Sequence, residues 1–373
     1  MKVVIDDKIP FIEGILEPYC EVIHAAGGDI NSEMVKDADA LIVRTRTKCN
    51  ERLLVNSQVK LIATATIGHD HIDKAYCAAQ GIKWVNAPGC NAKSVEQYVA
   101  AALLYLQDQH QIELKGKTLG VVGVGNTGSK TAKVAEILEM KVLLNDPPRA
   151  RLEKITHFVS FREILALSDF ICFHVPLNKD GIDQTYHMVD LSFIEKVSSK
   201  VFLLNACRGE VIDNQVLKAA LIQNKIQGAV LDVWENEPTI DTELMDLCKI
   251  ATPHIAGYSA DGKANGTENS IRAVSQFFGL ALNEWKCPNI PVPHALEILI
   301  DGTGRSDEQI LFEAVQYTYP IEKDDEKLRK FTHTFEKQRG EYPIRREFSN
   351  YKVRLSNGSA GVKVQLKKLG FNI

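Results

Sequence analysis

The chain has 373 residues, 45% of them hydrophobic and 25% charged, with a net charge of -4. That length supplies core for two or three domains, and the mild negative balance leaves no electrostatic footprint for nucleic acid or an anionic membrane. No apolar run reaches transmembrane length, and the eight scattered cysteines contain no C-x-x-C, which argues for reduced thiols in a cytoplasmic protein without a metal centre.

From the amino terminus, Met1-Lys2-Val3-Val4-Ile5-Asp6-Asp7 reads as a strand followed by acids rather than a signal peptide. Val3–Ile5, Ala40–Val43, Leu61–Thr64 and Trp84–Val85 are expected strands, with helices over Phe11–Leu16 and Lys74–Gln80. Strands alternating with helices predict a parallel α/β sheet. Polar residues gather just past two strand ends, Arg44-Thr45-Arg46-Thr47 and Thr64-Ala65-Thr66-Ile67-Gly68, where open α/β sheets bind ligands. Ser94–Gln107 predicts a largely buried helix, with Ser94 and Gln97 at capping-box spacing.

Next comes Lys117–Asp146. An apolar run feeds Gly123-Val124-Gly125-Asn126-Thr127-Gly128, a helical segment follows, and a second apolar run ends in Asp146. Strand, G-x-G-x-x-G, helix, strand and acid together are a dinucleotide-binding βαβ unit. Gly123 allows the tight turn, Gly125 lets the backbone approach a pyrophosphate, and Gly128 lets helix and strand pack closely. Phosphates at the helix N-terminus meet free N–H groups. Asp146 is placed to accept from ribose hydroxyls and to repel a 2′-phosphate, so NAD is expected rather than NADP.

The alternation continues to about Pro253. Expected strands at Asp169–His174, Val201–Asn205, Gly228–Asp232 and Lys249–Thr252 end in polar clusters, and Asp213 N-caps a helix over Asp213–Gln223. Three successive strand ends present Arg208, Glu237 and His254. An amphipathic helix is expected over Gly262–Trp285. Cys287–Pro293, with three prolines, then reads as a linker. The remaining residues predict a strand over Leu296–Ile300, helices over Ser306–Tyr317 and Asp324–Phe335, and β-like pieces at Tyr351–Leu355 and Gly361–Leu366, together a small α/β module for oligomerisation.

Singly, Arg208, Glu237 and His254 are ordinary residues; downstream of a dinucleotide fold they spell one chemistry. Hydride transfer from a 2-hydroxy acid needs a planar, permanently charged fork for the carboxylate, which only arginine offers. It needs a base of near-neutral pKa for the hydroxyl proton, which suits histidine. A carboxylate on the far ring nitrogen fixes the tautomer and stabilises the imidazolium.

The chain resembles the D-isomer-specific 2-hydroxyacid dehydrogenases through four stretches in order: Val122–Gly128, Asn205–Gly209, Leu231–Pro238 and Thr252–Gly257. The resemblance spans roughly residues 1–285. It implies a flavodoxin-like substrate domain beside a Rossmann NAD domain, with Arg208, Glu237 and His254 catalytic. It also implies that Asn126, Thr127, Asp146, Val175, Ala206, Cys207, Arg208, Asp232 and Gly257 line the cofactor with the glycine loop. Asp6-Asp7-Lys8-Ile9-Pro10, Asp146-Pro147-Pro148-Arg149-Ala150 and the carboxy-terminal extension resemble one branch of that family, which acts on a four-carbon 2-hydroxy acid 4-phosphate in the route to pyridoxal phosphate. By that resemblance Thr45, Thr66 and Tyr258 contact substrate. Thr45 stands where serine is expected and Val175 where threonine is expected, so a hydroxyl contact to cofactor is lost there; Arg46 and His69 are also atypical. The phosphate needs cations, for which Arg44 or Arg46 is the candidate.

The expected organisation is a substrate-binding domain over 1–93 and 256–286, an NAD domain over 94–255, and a dimerisation domain over 287–373 that makes a homodimer. Two other readings share these motifs. One is a dehydrogenase of 3-phosphoglycerate or glycerate, and the other is a non-enzymatic, NAD-sensing scaffold of the corepressor kind.

Overall fold

The structure, a computed structural model, describes residues 1–154, 157–293 and 295–373. They divide into two units, Met1–Asn91 with Ser259–Pro291 and Ala92–Tyr258 with Val292–Ile373.

The first unit is built on five parallel strands: β1 (Lys2–Asp6), β2 (Glu21–Ala25), β3 (Ala40–Val43), β4 (Leu61–Thr64) and β5 (Lys83–Val85). Their order, β2-β1-β3-β4-β5, is the flavodoxin-like arrangement. β3 and β4 are buried along their whole length, as strands covered on both faces must be, which is why they read as unbroken apolar runs. β2, Glu-Val-Ile-His-Ala, is a half-exposed edge strand whose polar residues hid it from that reading. The helix expected over Phe11–Leu16 is a series of turns instead. Phe11 and Gly14 lie in the left-handed region, at φ 63° and 80°, which breaks helical bonding, although Ile12 and Leu16 still reach the core. The amphipathic helix runs over Ala260–Phe278 and ends at Gly279, φ 72°; its Ile271 and Val274 pack with Val3, Ile5, Ile42 and Leu61.

In the second unit β6 (Thr118–Val122), β7 (Lys141–Asn145), β8 (Phe170–Phe173), β9 (Phe202–Asn205), β10 (Gly228–Leu231) and β11 (Ile250–Ala251) form one parallel sheet in the order β11-β10-β9-β8-β6-β7. The order reverses between β6 and β8, the switch point at which such sheets bind ligands. The buried helix spans Ala92–His110, so Ser94 lies inside it and is not its cap. The Ser94 hydroxyl donates to Glu347 (3.2 Å), and the Gln97 amide donates to Thr318 and to the Arg346 carbonyl (3.1 Å each).

Those partners belong to the carboxy-terminal segment, which packs into the same core. A two-stranded parallel sheet, β12 (Glu297–Asp301) with β13 (Lys352–Ser356), is joined by helices over Asp307–Thr318, Ile321–Lys330, Phe335–Gly340 and Ala360–Leu369. Ile298, Ile310, Leu311, Val315 and Leu366 share one apolar cluster with Tyr98, Leu103 and Val121. Ser306 and Gln309 form a reciprocal capping box. The expected helix over Asp324–Phe335 is two, broken after Lys330. Gly361–Leu366, expected as strand, is helical: Val362, Leu366 and Leu369 recur at helical spacing on the buried face, and Ser359 caps the start. The Ile321–Lys330 helix also covers the edge of β11, where Asp325 accepts from the Ala251 N–H (2.6 Å) and Arg329 donates to the Met245 and Cys248 carbonyls (2.9 Å each). Among the described residues no helix is long and apolar enough to cross a membrane.

Candidate active site and cofactor cleft

Every residue singled out between Gly123 and His254 follows the carboxyl end of a strand in the second unit: Gly123 follows β6, Asp146 β7, Val175 β8, Arg208 β9, Asp232 β10 and His254 β11. A parallel sheet brings such ends to one edge.

The glycine loop has the shape the spacing predicts. Gly123 adopts φ 85°, and a Cβ there would meet the His174 carbonyl oxygen at 2.6 Å. A Cβ on Gly128 would lie 1.9 Å from the Gly123 oxygen, so helix and strand touch through this glycine. At Gly125 a Cβ would meet nothing within 4 Å. That open space borders the Gly128–Ile137 helix, whose N-cap Thr127 makes no side-chain capping bond; its positive dipole end faces the loop, while the Ser129 and Lys130 N–H groups donate to the Gly125 and Thr127 carbonyls (3.1 and 3.0 Å). A cradle open only at its middle glycine fits the pyrophosphate of a dinucleotide. Asp146 closes it: one carboxylate oxygen accepts from the Val124 N–H (2.8 Å) and the other from Arg149 N–H (3.1 Å). The Arg149 guanidinium pairs bidentately with Glu153 (2.7 Å twice), so its charge is already matched beside the acid.

Arg208 is set by the turn after β9. The Asn205 amide donates to the Arg208 carbonyl (2.8 Å), and its oxygen accepts from Cys207 N–H (3.1 Å). Gly209 lets this turn approach the next strand end, since a Cβ there would sit 2.1 Å from the Trp234 carbonyl. The guanidinium donates to the Cys207 carbonyl (2.6 Å), which bends it back over its own turn.

Glu237 and His254 meet directly. The His254 Nδ1 and a Glu237 carboxylate oxygen are 2.7 Å apart, and the second oxygen accepts from the Trp234 N–H (3.0 Å). Burial pushes the Glu237 carboxyl up. The His254 charge and hydrogen bond, the Trp234 N–H and the Arg339 charge outweigh burial and hold it below the ordinary range. With Nδ1 engaged, Nε2 is the nitrogen that can exchange a proton with a ligand.

His254 adopts φ 57°, a left-handed conformation that its neighbours must enforce. Asp232 does much of this. Its carboxylate accepts from Ile255 N–H and Ala256 N–H (2.8 Å each) and from the Thr252 hydroxyl (2.7 Å), and its carbonyl accepts from His254 N–H (2.7 Å). Because the Thr252 proton goes to Asp232, the buried Tyr98 hydroxyl donates to Thr252 (2.8 Å). Sequence reasoning placed Asp232 against cofactor; its bonds make it the organiser of the His254 turn as well. The Thr252 and Tyr98 supports went unrecognised, having no spacing signal.

The carboxy-terminal segment reaches the same turn, another feature that no motif announced. Arg345 donates to the Ile255 and Ala256 carbonyls (3.0 and 2.6 Å). The Arg339 guanidinium lies 5.7 Å from the Tyr258 ring centroid, and the Tyr342 ring meets Tyr258 edge-on at 5.9 Å.

In the first unit Arg44, Thr45 and Arg46 follow β3, and Thr66 follows β4. Thr45 and Arg46 are exposed; Arg44 donates to the Lys8 carbonyl (3.0 Å). The Thr66 hydroxyl donates to the Gly68 carbonyl and contacts the Thr64 hydroxyl (2.8 Å each), and the latter lies 3.1 Å from the His71 ring.

Comparison with known proteins agrees with this geometry. Residues 91–256 match the D-isomer specific 2-hydroxyacid dehydrogenase NAD binding domain, and residues 291–370 match a family described as a domain of unknown function. A Bacteroides fragilis protein named erythronate-4-phosphate dehydrogenase is 46% identical over 354 residues, covering 95% of this chain and 99% of its own. The chain belongs to the D-isomer specific 2-hydroxyacid dehydrogenase family, in the branch of the erythronate-4-phosphate dehydrogenases. A relative of that name from Chromohalobacter salexigens is 38% identical and covers 100% of this chain and 99% of its own. Among solved structures, the Aquifex aeolicus D-lactate dehydrogenase complexed with NAD and lactic acid is 29% identical, with a TM-score of 0.65 over 75% of this chain and 96% of that one. The NAD-bound 3-phosphoglycerate dehydrogenase of Entamoeba histolytica is 25% identical, with a TM-score of 0.65 over 78% and 99%.

Proposed function

We propose that this chain oxidises 4-phospho-D-erythronate at C2, with NAD as acceptor, to 2-oxo-3-hydroxy-4-phosphobutanoate in pyridoxal 5′-phosphate biosynthesis. The observation that carries this reading is the 2.7 Å contact of Glu237 with His254 Nδ1, on the strand-end edge that also carries Arg208 and the glycine cradle. Relatives named for this activity match over nearly the full chain.

The roles follow from the groups. Arg208 takes the substrate carboxylate in a planar, two-point grip and polarises the C2 oxygen. His254 accepts the C2 hydroxyl proton at Nε2 as the C2–O double bond forms. Glu237 stabilises the imidazolium so produced and holds the tautomer in which Nε2 is the acceptor. Asp232 keeps the His254 turn in its left-handed form. Gly123, Gly125, Asn126, Thr127 and Gly128 would hold the cofactor pyrophosphate, Asp146 its ribose, and Val175, Ala206, Cys207 and Gly257 its remaining wall. NAD, when bound, supplies the acceptor for the C2 hydride.

Thr45, Thr66 and Tyr258 are assigned to substrate, and Arg44 or Arg46 to the 4-phosphate. The division into a substrate domain (1–93 and 256–286), an NAD domain (94–255) and a dimerisation domain (287–373) belongs to the same reading, as does a homodimer in the cytoplasm. Supporting the dimer is the outer face of the β12–β13 sheet, where Leu299 is 71% exposed. Supporting the compartment are eight free cysteines. The test is NADH formation with a panel of phosphorylated and unphosphorylated 2-hydroxy acids; no turnover of 4-phospho-D-erythronate refutes the reading. If neither Arg44→Ala nor Arg46→Ala weakens binding of the phosphorylated substrate relative to erythronate, the phosphate assignment fails.

A further inference from the structure

The carboxy-terminal segment matches a family described as a domain of unknown function, and the proposed dimer would not require it to touch the chemistry. Yet two of its arginines end at the turn carrying His254. Arg345 is buried and lies 4.3 Å from the Tyr319 ring centroid and 5.7 Å from that of Tyr342, an aromatic sleeve that leaves it few orientations. Its Nη2 donates to the carbonyls of Ile255 and Ala256, the two residues whose N–H groups Asp232 holds. The turn after His254 is therefore pinned from both sides of its backbone, by Asp232 of the sheet and by Arg345 of the segment.

Arg339 approaches from the preceding helix, Phe335–Gly340. Its guanidinium lies 5.7 Å from the Tyr258 ring centroid and 5.9 Å from that of Phe335, and pairs with Glu336 at 3.2 Å. Tyr342, which packs edge-on against Tyr258, is anchored by donating its hydroxyl to Asp324 (2.7 Å).

We propose that the carboxy-terminal segment is part of the active site's construction: Arg345 and Arg339 are positioning residues that hold the His254–Tyr258 turn and set the charge around the Glu237–His254 pair. Burial works against the Arg339 charge, and Tyr258, Glu237 and Glu336 more than restore it. Burial likewise opposes Arg345, and Tyr342, Tyr319, Asp324 and Asp232 restore it. Among the described residues, Arg339 of the segment acts on Glu237 and Asp232 of the β10 end on His254; Tyr258 and Glu336 face Arg339, and Tyr342 and Arg345 face Asp232. A cation beside Glu237 weakens that carboxylate's hold on a proton shared with His254. Removing it makes the pair retain the proton to higher pH.

The inference rests on the hydride-transfer reading for its kinetic arm only. The full-length chain carrying Arg339→Gln, with Arg339→Lys as the conservative partner, is compared with the parent by NMR titration of isotopically labelled histidine, by NAD binding and by turnover. In Arg339→Gln the His254 midpoint is expected to move to higher pH, with Arg339→Lys close to the parent. The acid limb of kcat/KM should move the same way, while NAD affinity and light-scattering mass stay within twofold of the parent. An unmoved His254 midpoint overturns the electrostatic role of Arg339, whether or not the parent turns over. For Arg345, whose loss could unfold the chain, Arg345→Lys keeps the charge and surrenders the fork. It should lower kcat more than tenfold with KM for NAD little changed, and an unchanged kcat overturns its positioning role.

Discussion

Replacing Glu237 by glutamine tests the centre of the mechanism, because the site asks that side chain for two acceptors and glutamine has one. One Glu237 oxygen faces the Trp234 N–H and the other the His254 Nδ1. In Glu237→Gln the amide oxygen can serve only one of them. If it stays on Trp234, the NH2 faces Nδ1, which must then be the acceptor; Nε2 carries the proton and cannot take another from substrate. If it turns to Nδ1, the NH2 confronts the Trp234 N–H. Two donors facing one another cost about 1–3 kcal/mol. The lost charge adds to this. Opposite charges about 4 Å apart interact by about 4 kcal/mol in a partly solvated site, and the exposure of the pair, 32% for His254 and 19% for Glu237, roughly halves that. Together the change removes about 3–5 kcal/mol of transition-state stabilisation, a fall in kcat/KM of roughly two hundredfold to a few thousandfold. The acid limb of the oxidation profile should also move to lower pH, because the partner favouring the imidazolium is gone; substitution of Arg339 moves it the other way. Steady-state NADH formation across pH, with Glu237→Asp as the charge-retaining control, measures both. A Glu237→Gln enzyme within fivefold of the parent, or one no worse than Glu237→Asp, refutes the assignment.

Arg208→Lys keeps the charge but loses the two-point grip, and kcat/KM for the 2-hydroxy acid should fall by about a hundredfold or more; near-parental values would count against Arg208 as the carboxylate ligand. Gly128→Ala drives a methyl against the Gly123 carbonyl, 1.9 Å from the ideal Cβ, and should weaken NAD binding and lower Tm by several degrees, read by calorimetry and thermal shift. Burial pushes His174 down to about 4 from 6.5, so the unfolded chain binds the extra proton first. Its contribution, at most about 3 kcal/mol, is complete above pH 6.5 and lost as pH falls toward 4; His174→Gln should flatten denaturant-measured stability across that window, and an equally steep variant disproves the attribution. Removing residues 291–373 strips the cover from Tyr98 and Leu103 and from the β11 edge, so the truncated chain should be insoluble or monomeric, and a stable dimer by light scattering would refute the segment's roles.

What was legible in the sequence shares a physical reason. β3, β4, β8, β9 and β10 are buried along their length, so each reads as an apolar run closed by polar residues. The glycine loop is legible because steric demands at Gly123 and Gly128 exclude any other residue without local shifts. The missed elements are those whose determinants lie elsewhere. β2 is held by pairing with β1, not by its own hydrophobicity. The Phe11–Leu16 turns are set by two left-handed residues, one of them a phenylalanine that no propensity would place there. The Ala360–Leu369 helix alternates valine with polar residues at its start, and only the recurrence of Val362, Leu366 and Leu369 against a core separates it from a strand.

The candidate site divides along the same line, and the division bears on how the chemistry is held. Arg208, Glu237 and His254 are legible because substrate chemistry dictates their types at strand ends. The groups that hold them are not, because a carboxylate such as Asp232 or a guanidinium such as Arg345 acts on backbone N–H and C=O groups that almost every residue type shares. His254 sits in a left-handed conformation, and a bulky residue keeps that only if its surroundings over-determine it. Asp232 supplies the N–H side of that determination and Arg345 the C=O side. Ninety-one positions separate His254 from Arg345 in the sequence, and the Tyr319 and Tyr342 rings flank Arg345 as it reaches the turn. A chain carrying the same three catalytic residues without this brace would need another cation at the Ile255 and Ala256 carbonyls, or a turn that needs less holding.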